Sequence, residues 1–470
     1  MSEIKSEIKT NPSRNISITI IGTTVLKAIS LLTAPLISNI IDPEQFGLLS
    51  TFLIWVSIIQ IIITLQMPAS IINASIDYEK DKYEKFINSI ILFTTVISLF
   101  LAGVFLGIGS YAAPVLRLDY TLFLLVVPVC WGKGVFTSFL TKYITEKRAK
   151  EYVAWQMAVT IADLVFALGL AVLMKEHPHI GYAIGYTAGN LLVGIGILIQ
   201  RMIRYGIPKF NASKEHLGFA LRISSPMIIH SFSSLVLLQS DRYMLMFIKG
   251  PVETGIYSMS YNIGSITAVL WSAINTAIVP FFFGYYKDRL HDSINEKVQN
   301  ASNIFTALNI GFLMIFPEVI RFAISDKYWS GMEVIPFIVI SNYFIHLYTY
   351  AVNYEHFKKK TNYIALGTIC AAGANIFLNF LLIPEYGQMG AAIATMIAYM
   401  LLFLYHFIIA KKFIGDFPVK LSRIIPSALI FFASVMFFYV FEDFPFLRWA
   451  LAFVAAGYGV FHVYKRKGII

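Results

Sequence analysis

Residues Ile87–Gly109 read INSIILFTTVISLFLAGVFLGIG, a continuous stretch without a single charged side chain. A helix needs about 20 apolar residues to cross the hydrocarbon core of a bilayer. Similar stretches follow one another along the chain, for example Ile16–Ile37, Val153–Met174, Ile364–Ile383 and Leu421–Phe441. The sequence therefore predicts an all-α polytopic membrane protein with about fourteen transmembrane helices.

The composition is typical of this class, with 57% hydrophobic residues, 14% charged residues and a mean hydropathy of +0.69. Ordinary soluble proteins carry about 25% charged residues. The two cysteines, Cys130 and Cys370, lie in apolar stretches without metal-ligand spacing. The sequence has no phosphate-loop or H-E-x-x-H motif, and its loops are too short for a catalytic domain. We therefore expect no enzymatic activity, no metal and no cofactor.

Basic residues are unevenly divided between the loops that join the predicted helices. One set of alternate loops, together with the two termini, holds 27 of the 37 Lys and Arg residues, and the other set holds 6. Positively charged loops mark the cytoplasmic side, so both termini are predicted to be cytoplasmic. Topology thus accounts for most of the net charge of +10, and nucleic-acid binding is not expected. The predicted helices span residues 16–38, 46–73, 86–109, 119–141, 153–174, 179–200, 217–247, 252–284, 299–323, 334–356, 362–383, 388–410, 421–441 and 446–464.

Two short matches indicate an internal repeat. Residues 42–50, DPEQFGLLS, align with residues 250–258, GPVETGIYS, and Gly181–Ile184 aligns with Gly390–Ile393 at nearly the same offset. Parallel repeats are a transporter architecture in which the substrate binds between the halves. We therefore expect two parallel-related six-helix lobes around a central cavity, followed by two C-terminal helices. The corresponding boundaries are 1–208, 209–415 and 416–470.

Small polar residues recur at helical spacing on the second, seventh and eighth predicted helices. Such residues commonly join membrane helices by hydrogen bonds, and helix packing alone would explain them. The recurrence of the pattern on equivalent helices of the two halves also fits a shared, water-filled cleft. Under this second interpretation, the polar residues that line the cavity are Ser57, Thr64, Ser234, Asn262, Ser265 and Ser272.

Away from the helix ends, four bases and two acids lie within the predicted spans, whereas Glu318 and Glu355 lie near helix ends. An ionised side chain at the bilayer centre costs about 2.5–3.5 kcal/mol on insertion scales, so it usually faces a cavity or a partner. Asp163 could pair with Lys27 or Lys133 and hold the helices of the first half together. The long side chains of Arg222 and Arg242 could reach the membrane interfaces. Alternatively, the excess of bases forms a basic cleft that concentrates anions. The six residues are Lys27, Lys133, Arg222, Arg242, Asp163 and Asp241.

Several motifs carry a resemblance to a known family. Residues 240–243, SDRY, followed by 254–261, TGIYSMSY, resemble its "D-R … G-x-Y-S-x-x-Y" signature. Residues 374–379, ANIFLN, and 382–395, LIPEYGQMGAAIAT, are similar to its "N-x-x-x-N … L-I-P-x-x-G-x-x-G-A-A-x-A-T" block, and 43–47, PEQFG, fits its first external loop. By these motifs the chain resembles the Wzx-type polysaccharide repeat-unit flippases of the multidrug/oligosaccharidyl-lipid/polysaccharide exporter superfamily.

The resemblance implies a monomeric flippase of the bacterial plasma membrane. Its substrate would be an undecaprenyl-pyrophosphate-linked oligosaccharide, moved from the cytoplasmic to the outer leaflet for capsule or O-antigen synthesis. It would act within membrane lipid and beside the polysaccharide polymerase machinery, and would use alternating access driven by the membrane potential or an ion gradient. The expected pyrophosphate ligands are Lys27, Lys133, Arg222 and Arg242, and the expected ion-coupling residues are Asp163, His230 and Asp241.

The main alternative is a cation-coupled drug or small-molecule antiporter of the same superfamily. That function would require acids and aromatic residues to dominate the cleft, whereas bases outnumber acids among the charged residues away from the helix ends. A polysaccharide polymerase, an enzyme, would need a substantial external loop, which the sequence does not contain.

Overall fold

The computed structural model describes residues 33–205 and 213–465. These residues are almost entirely helical, and no strand occurs among them. Ten helical segments in the described part of the chain are long and apolar enough to cross a membrane. The expected all-α polytopic membrane fold is therefore confirmed.

The helices run in sequence order and are numbered α1 to α15. The first seven are α1 Thr33–Ile40, α2 Pro43–Thr64, α3 Ile71–Asp77, α4 Lys80–Val115, α5 Tyr120–Thr145, α6 Ala149–Leu173 and α7 Pro178–Tyr205. The chain continues with α8 Lys214–Ile248, α9 Pro251–Gly264, α10 Ile266–Lys287, α11 His291–Ala323, α12 Ile335–Phe357, α13 Thr361–Ile408, α14 Ile425–Val440 and α15 Pro445–Lys465.

The second predicted helix differs from the structure because backbone geometry, and not hydropathy, sets its end. Leu65 and Gln66 adopt left-handed conformations with φ of 44° and 53°, so α2 ends at Thr64 although the chain stays apolar beyond it. The eleventh and twelfth predicted helices are confirmed as two helices within the range labelled α13, and they meet at a kink at Gly387 (φ 51°, ψ −130°). Glycine is favoured at such a φ because it has no Cβ.

The chain forms two compact units that meet at residues 235 and 236, within α8. We call residues 33–205 and 213–235 the N-unit and residues 236–465 the C-unit. The boundary expected from the sequence, at 208–209, lies outside the described residues. Helices α14 and α15 pack on α11 within the C-unit: Phe438 contacts Phe316 with ring centroids 5.4 Å apart, and Arg448 pairs with Glu318.

The repeated sequence segments have matching local structures in their respective units. Pro43 begins α2 and Pro251 begins α9, each at the first helical position, where the missing N–H of proline has no cost. Gly181 lies against α6 and Gly390 lies against the part of α13 before the kink at Gly387, since a Cβ on either would be 2.4 Å from a backbone carbonyl oxygen. These equivalences support the internal repeat at the level of local structure.

Glycines bring α7 into close contact with its neighbours in the N-unit. A Cβ at Gly132 of α5 would lie 2.6 Å from the Asn190 carbonyl oxygen, and one at Gly185 would lie 2.0 Å from the Phe166 carbonyl oxygen of α6. Small residues allow such approach between membrane helices, where van der Waals packing drives association. The helices α5, α6 and α7 are thus held at a fixed spacing, which positions the polar side chains described below.

Replacing Gly185 with alanine should therefore destabilise the N-unit by about 1–3 kcal/mol, because the added methyl group requires a backbone shift. The matched control is Gly169→Ala in α6, where a Cβ would meet no atom within 4 Å. Thermal unfolding of the purified variants in detergent checks the prediction. Equal melting temperatures for the two alanine variants would contradict it.

Candidate functional site

A polar cluster lies near the middle of three apolar helices of the N-unit. Lys133 is central in α5, and its Nζ donates a hydrogen bond of 2.9 Å to the Tyr186 hydroxyl of α7. The ammonium also lies 5.4 Å from the centroid of the Tyr186 ring. An ammonium has three N–H donors. Because Tyr186 is its one hydrogen-bond partner among the described residues, two donors remain for a ligand.

Asp163 of α6 belongs to the same cluster. Its Oδ1 accepts a hydrogen bond of 2.9 Å from Nδ2 of Asn190, which lies one turn after Tyr186 on α7. Asp163 and Lys133 interact electrostatically, but within the described structure they do not form a direct ion pair. We call Lys133, Asp163, Tyr186 and Asn190 the Lys133 cluster.

The backbone at Asp163 departs from a regular α-helix. Residues Asp163–Ala167 form a turn of π-helix within α6. Such π-turns widen the helix by one residue and are frequent at functional sites. The turn also brings the Phe166 carbonyl to the glycine face of α7. Asp163 therefore lies at an irregular turn of α6, opposite α7, which carries its amide partner Asn190.

Accessibility distinguishes this cluster from a purely structural pair. Lys133, Asp163 and Tyr186 are each half-buried, whereas Asn190 is buried. A basic group that is partly accessible at membrane depth can attract an anion, and the low-dielectric surroundings strengthen that attraction. The neighbouring carboxylate can offset the charge when no anion is present. The cluster therefore combines a half-buried base with a half-buried acid among apolar helices.

A second polar network, in the C-unit, is closed to solvent. Asp241 of α8 is only 1% exposed, and its Oδ2 accepts hydrogen bonds from the Tyr257 hydroxyl (2.6 Å) and the Thr395 hydroxyl (3.3 Å). Asn375 donates to Thr395 and accepts from both Ser240 and Asn379. The motifs that carry the family resemblance thus meet in one buried network joining α8, α9 and α13. Its first role is structural, because buried polar groups require partners.

Arg242 lies beside this network. Its guanidinium carbon is 4.3 Å from the centroid of the Tyr261 ring, in a cation–π contact. Its Nε is buried and has no hydrogen-bond partner within the described residues. The guanidinium of Arg242 therefore makes the ring contact with Tyr261 but no side-chain hydrogen bond within the described residues.

The remaining predicted residues are dispersed. Lys27 lies outside the described residues. Arg222 and His230 of α8 are exposed, and Ser234 is half-buried. Thr64 is buried, and its hydroxyl donates to the Gln60 carbonyl. Of the other polar residues, Ser57 and Ser265 are half-buried, and Asn262 and Ser272 are exposed.

Sequence reasoning missed several polar partners. Tyr186 and Asn190, with Tyr182, are spaced four residues apart on one face of α7, a signal that the sequence does contain. A buried pair between Glu355 and His406, with Nδ1 2.9 Å from Oε1, was also missed. No group of three or more metal-ligating side chains occurs in the described ranges.

Comparisons with known proteins agree with this architecture. The chain is 22% identical over 405 residues to the Lsg locus putative protein 1 of Haemophilus influenzae, covering 81% of this chain and 96% of that protein. It is 23% identical over 289 residues to the succinoglycan biosynthesis transport protein ExoT of Rhizobium meliloti, covering 59% of this chain and 55% of that protein.

Solved structures share the fold. The inward closed conformation of the lipid II flippase MurJ superimposes with a TM-score of 0.74 at 16% identity, covering 94% of this chain and 97% of that chain. An inward-facing multidrug resistance transporter of the MATE family and MOP superfamily gives a TM-score of 0.63 at 12% identity, covering 85% and 98%. Residues 13–285 match the family described as polysaccharide biosynthesis protein, and the chain, a multi-pass membrane protein, belongs to that family.

Proposed function

We propose that this protein is a flippase for undecaprenyl-pyrophosphate-linked oligosaccharides in the bacterial plasma membrane. It moves repeat units from the cytoplasmic to the outer leaflet, with both termini in the cytoplasm, for the synthesis of a surface polysaccharide such as capsule or O-antigen. The family assignment, the transport role in the name of ExoT and the fold shared with the flippase MurJ support this proposal.

The observation that carries the proposal is the half-buried ammonium of Lys133 near the centre of α5. It retains two N–H donors beyond its bond to Tyr186, and charge-assisted hydrogen bonds to phosphate oxygens are among the strong ones. In this mechanism the pyrophosphate leaves the inner leaflet and binds Lys133, while the lipid chain stays in the bilayer. Lys27, Arg222 and Arg242 are further candidate ligands along its path.

The driving force follows from the charge of the substrate. Moving one elementary charge through a potential of 100 mV is worth about 2.3 kcal/mol. With the cell interior negative, an anionic headgroup is driven outward. An inward flow of protons or cations could be coupled to this movement, and Asp163, His230 and Asp241 remain the candidates. Asp163 is favoured because it is half-buried beside Lys133, whereas Asp241 is sealed in its network.

A cation-coupled small-molecule antiporter is the second candidate. The fold shared with a multidrug transporter favours it. The Asp163–Asn190 pair also favours it, because a carboxylate and an amide beside it can bind a cation or a proton. When Asp163 is protonated or binds a cation, its carboxylate no longer offsets the charge of Lys133. The site then carries a net positive charge, which argues against a cationic cargo there.

Complementation of a bacterium that lacks its own repeat-unit flippase tests the proposal. We expect expression of this chain to restore surface polysaccharide and to move accumulated lipid-linked repeat units to the outer leaflet. Accumulation in the inner leaflet despite normal membrane insertion would contradict the flippase function. Resistance to cationic dyes without restored polysaccharide would support the antiporter instead.

A further inference from the structure

A separate cavity of about 500 Å³ lies within the C-unit. It is bordered by the end of α11, the 3-10 turn Asp326–Val334, the start of α12 and the chain between α14 and α15. Its size falls in the range of small-ligand sites. Its rim combines charged and aromatic side chains, namely Arg321, Glu333, Glu442, Trp329, Phe337 and Tyr439.

One wall of the cavity contains a buried arginine with an unused donor. Arg448 is 2% exposed, and its two terminal nitrogens bind the Glu318 carboxylate and, at 2.9 Å, the Met314 carbonyl. Its Nε, also buried, has no hydrogen-bond partner within the described chain. A buried unsatisfied donor is costly. Because this nitrogen is covered by protein atoms, Arg448 stabilises the cavity wall and leaves ligand contacts to the more exposed lining side chains.

The charges around the cavity identify a class of ligand. Arg448 and Glu318 neutralise each other, so the rim carries the two carboxylates of Glu333 and Glu442 against the one guanidinium of Arg321. Both carboxylates also act electrostatically on Tyr439. A net negative rim disfavours anions such as pyrophosphate or uronic acids. Carboxylates are acceptors for hydroxyl and ammonium donors, which fits a neutral or amino sugar.

The aromatic residues fit the same ligand. The indole Nε1 of Trp329 donates to the Ile324 carbonyl at 3.0 Å, which fixes the ring in the cavity wall. Fixed aromatic faces pack against apolar surface, including the C–H face of a sugar ring, while carboxylates at the rim receive its hydroxyl groups. We propose that this cavity binds a neutral or amino-sugar residue of a glycan.

The loops around the cavity belong to the set that is poor in Lys and Arg, which the charge distribution predicts to face outward. The inference rests on the proposed function, in that the sugar would belong to the translocated oligosaccharide as it arrives at the outer face. The site is separate from the Lys133 cluster because all of its lining residues lie in the C-unit.

The test uses the purified full chain in nanodiscs and ligand-observed NMR titration. Three probes are compared: tri-N-acetylchitotriose, which is neutral, chitotriose, which is cationic, and trigalacturonic acid, which is anionic. We expect the first two to bind and the third to bind at least about tenfold more weakly. Trp329→Ala should weaken binding of the first two about tenfold. Replacing Glu333 and Glu442 together with Gln should weaken chitotriose more than its neutral analogue.

The matched controls are Phe322→Ala and Asp443→Asn, which change exposed neighbours of Arg321 and Glu442 outside the cavity. Both should bind like the unmodified protein.

The glutamine variants change exposed side chains, so they test the site even if Trp329→Ala does not fold. The inference would be overturned if the unmodified protein and the glutamine variant bound chitotriose with equal affinity. It would also be overturned if neither tri-N-acetylchitotriose nor chitotriose showed saturable binding. Restored polysaccharide without sugar binding would refute this site alone, and sugar binding without complementation would refute the flippase function alone.

Discussion

Replacing Lys133 with methionine should reduce delivery of lipid-linked oligosaccharide to the outer leaflet about tenfold or more. Methionine keeps much of the side-chain volume but removes the ammonium that we expect to bind pyrophosphate. Hydrogen bonds to charged groups contribute about 1.5–3 kcal/mol, and each 1.4 kcal/mol is a factor of about ten. Leaflet-specific labelling of the oligosaccharide, in cells with matched protein levels, measures the effect. Lys133→Arg, which keeps the charge, is the conservative control.

A double variant separates substrate binding from local neutralisation. The comparison requires that Asp163→Asn alone still transports, since Asp163 is also a candidate for ion coupling. If Lys133 then only compensates the charge of Asp163, Asp163→Asn should restore transport to the Lys133→Met variant, because the remaining acid is gone. If Lys133 binds the headgroup, the double variant should stay inactive although its thermal stability returns. Tyr186→Phe, which removes the hydroxyl that accepts from Lys133 at 2.9 Å, should have a smaller effect than Lys133→Met. Full transport by Lys133→Met would remove this residue from the mechanism.

Most helix positions could be predicted because a bilayer imposes a length of apolar sequence that hydropathy makes visible. The errors arise where the backbone turns inside apolar sequence. Nothing in hydropathy separates Thr64 from the apolar residues after Leu65 and Gln66, where α2 ends. By contrast, the kink at Gly387 falls between the eleventh and twelfth predicted helices, as expected. These features depend on φ and ψ at single residues.

The candidate site could be predicted only for its charged members. A charge in an apolar span is conspicuous, and this contrast alone is enough to single out Lys133 and Asp163 in the sequence. Neutral partners such as Tyr186 and Asn190 resemble ordinary helix-packing residues, and only the packing of α7 against α5 and α6 reveals their role. The sealing of Asp241 depends on Thr395, 154 residues away, and sequence spacing could not have predicted it.

Removing the carboxylate of Glu84 should produce the largest loss of stability in the N-unit. Glu84 of α4 binds Lys142 of α5 and, at 3.1 Å, Arg201 of α7. Only 3% and 6% of these two basic side chains are exposed. Glu84→Ala would leave Arg201 without this counter-charge and Lys142 with the more distant Glu146 at 3.6 Å. Breaking a buried ion pair on one side costs about 3–5 kcal/mol. Thermal and denaturant unfolding of the purified protein in detergent measures the loss.

The matched control is the exposed pair between Lys82 and Glu215, which join α4 to α8 at 2.6 Å. Their side chains are 43% and 63% exposed, and exposed pairs contribute about 0–1 kcal/mol. Glu215→Ala should therefore change stability much less than Glu84→Ala. A triple variant that also replaces Lys142 and Arg201 with methionine should recover much of the loss, because the two buried bases that Glu84 compensates are then absent. Equal free energies of unfolding for Glu84→Ala and Glu215→Ala would show that the burial of Lys142 and Arg201 does not make Glu84 important. Recovery in the triple variant would show that charge compensation, more than helix packing, makes Glu84 necessary to join α4, α5 and α7.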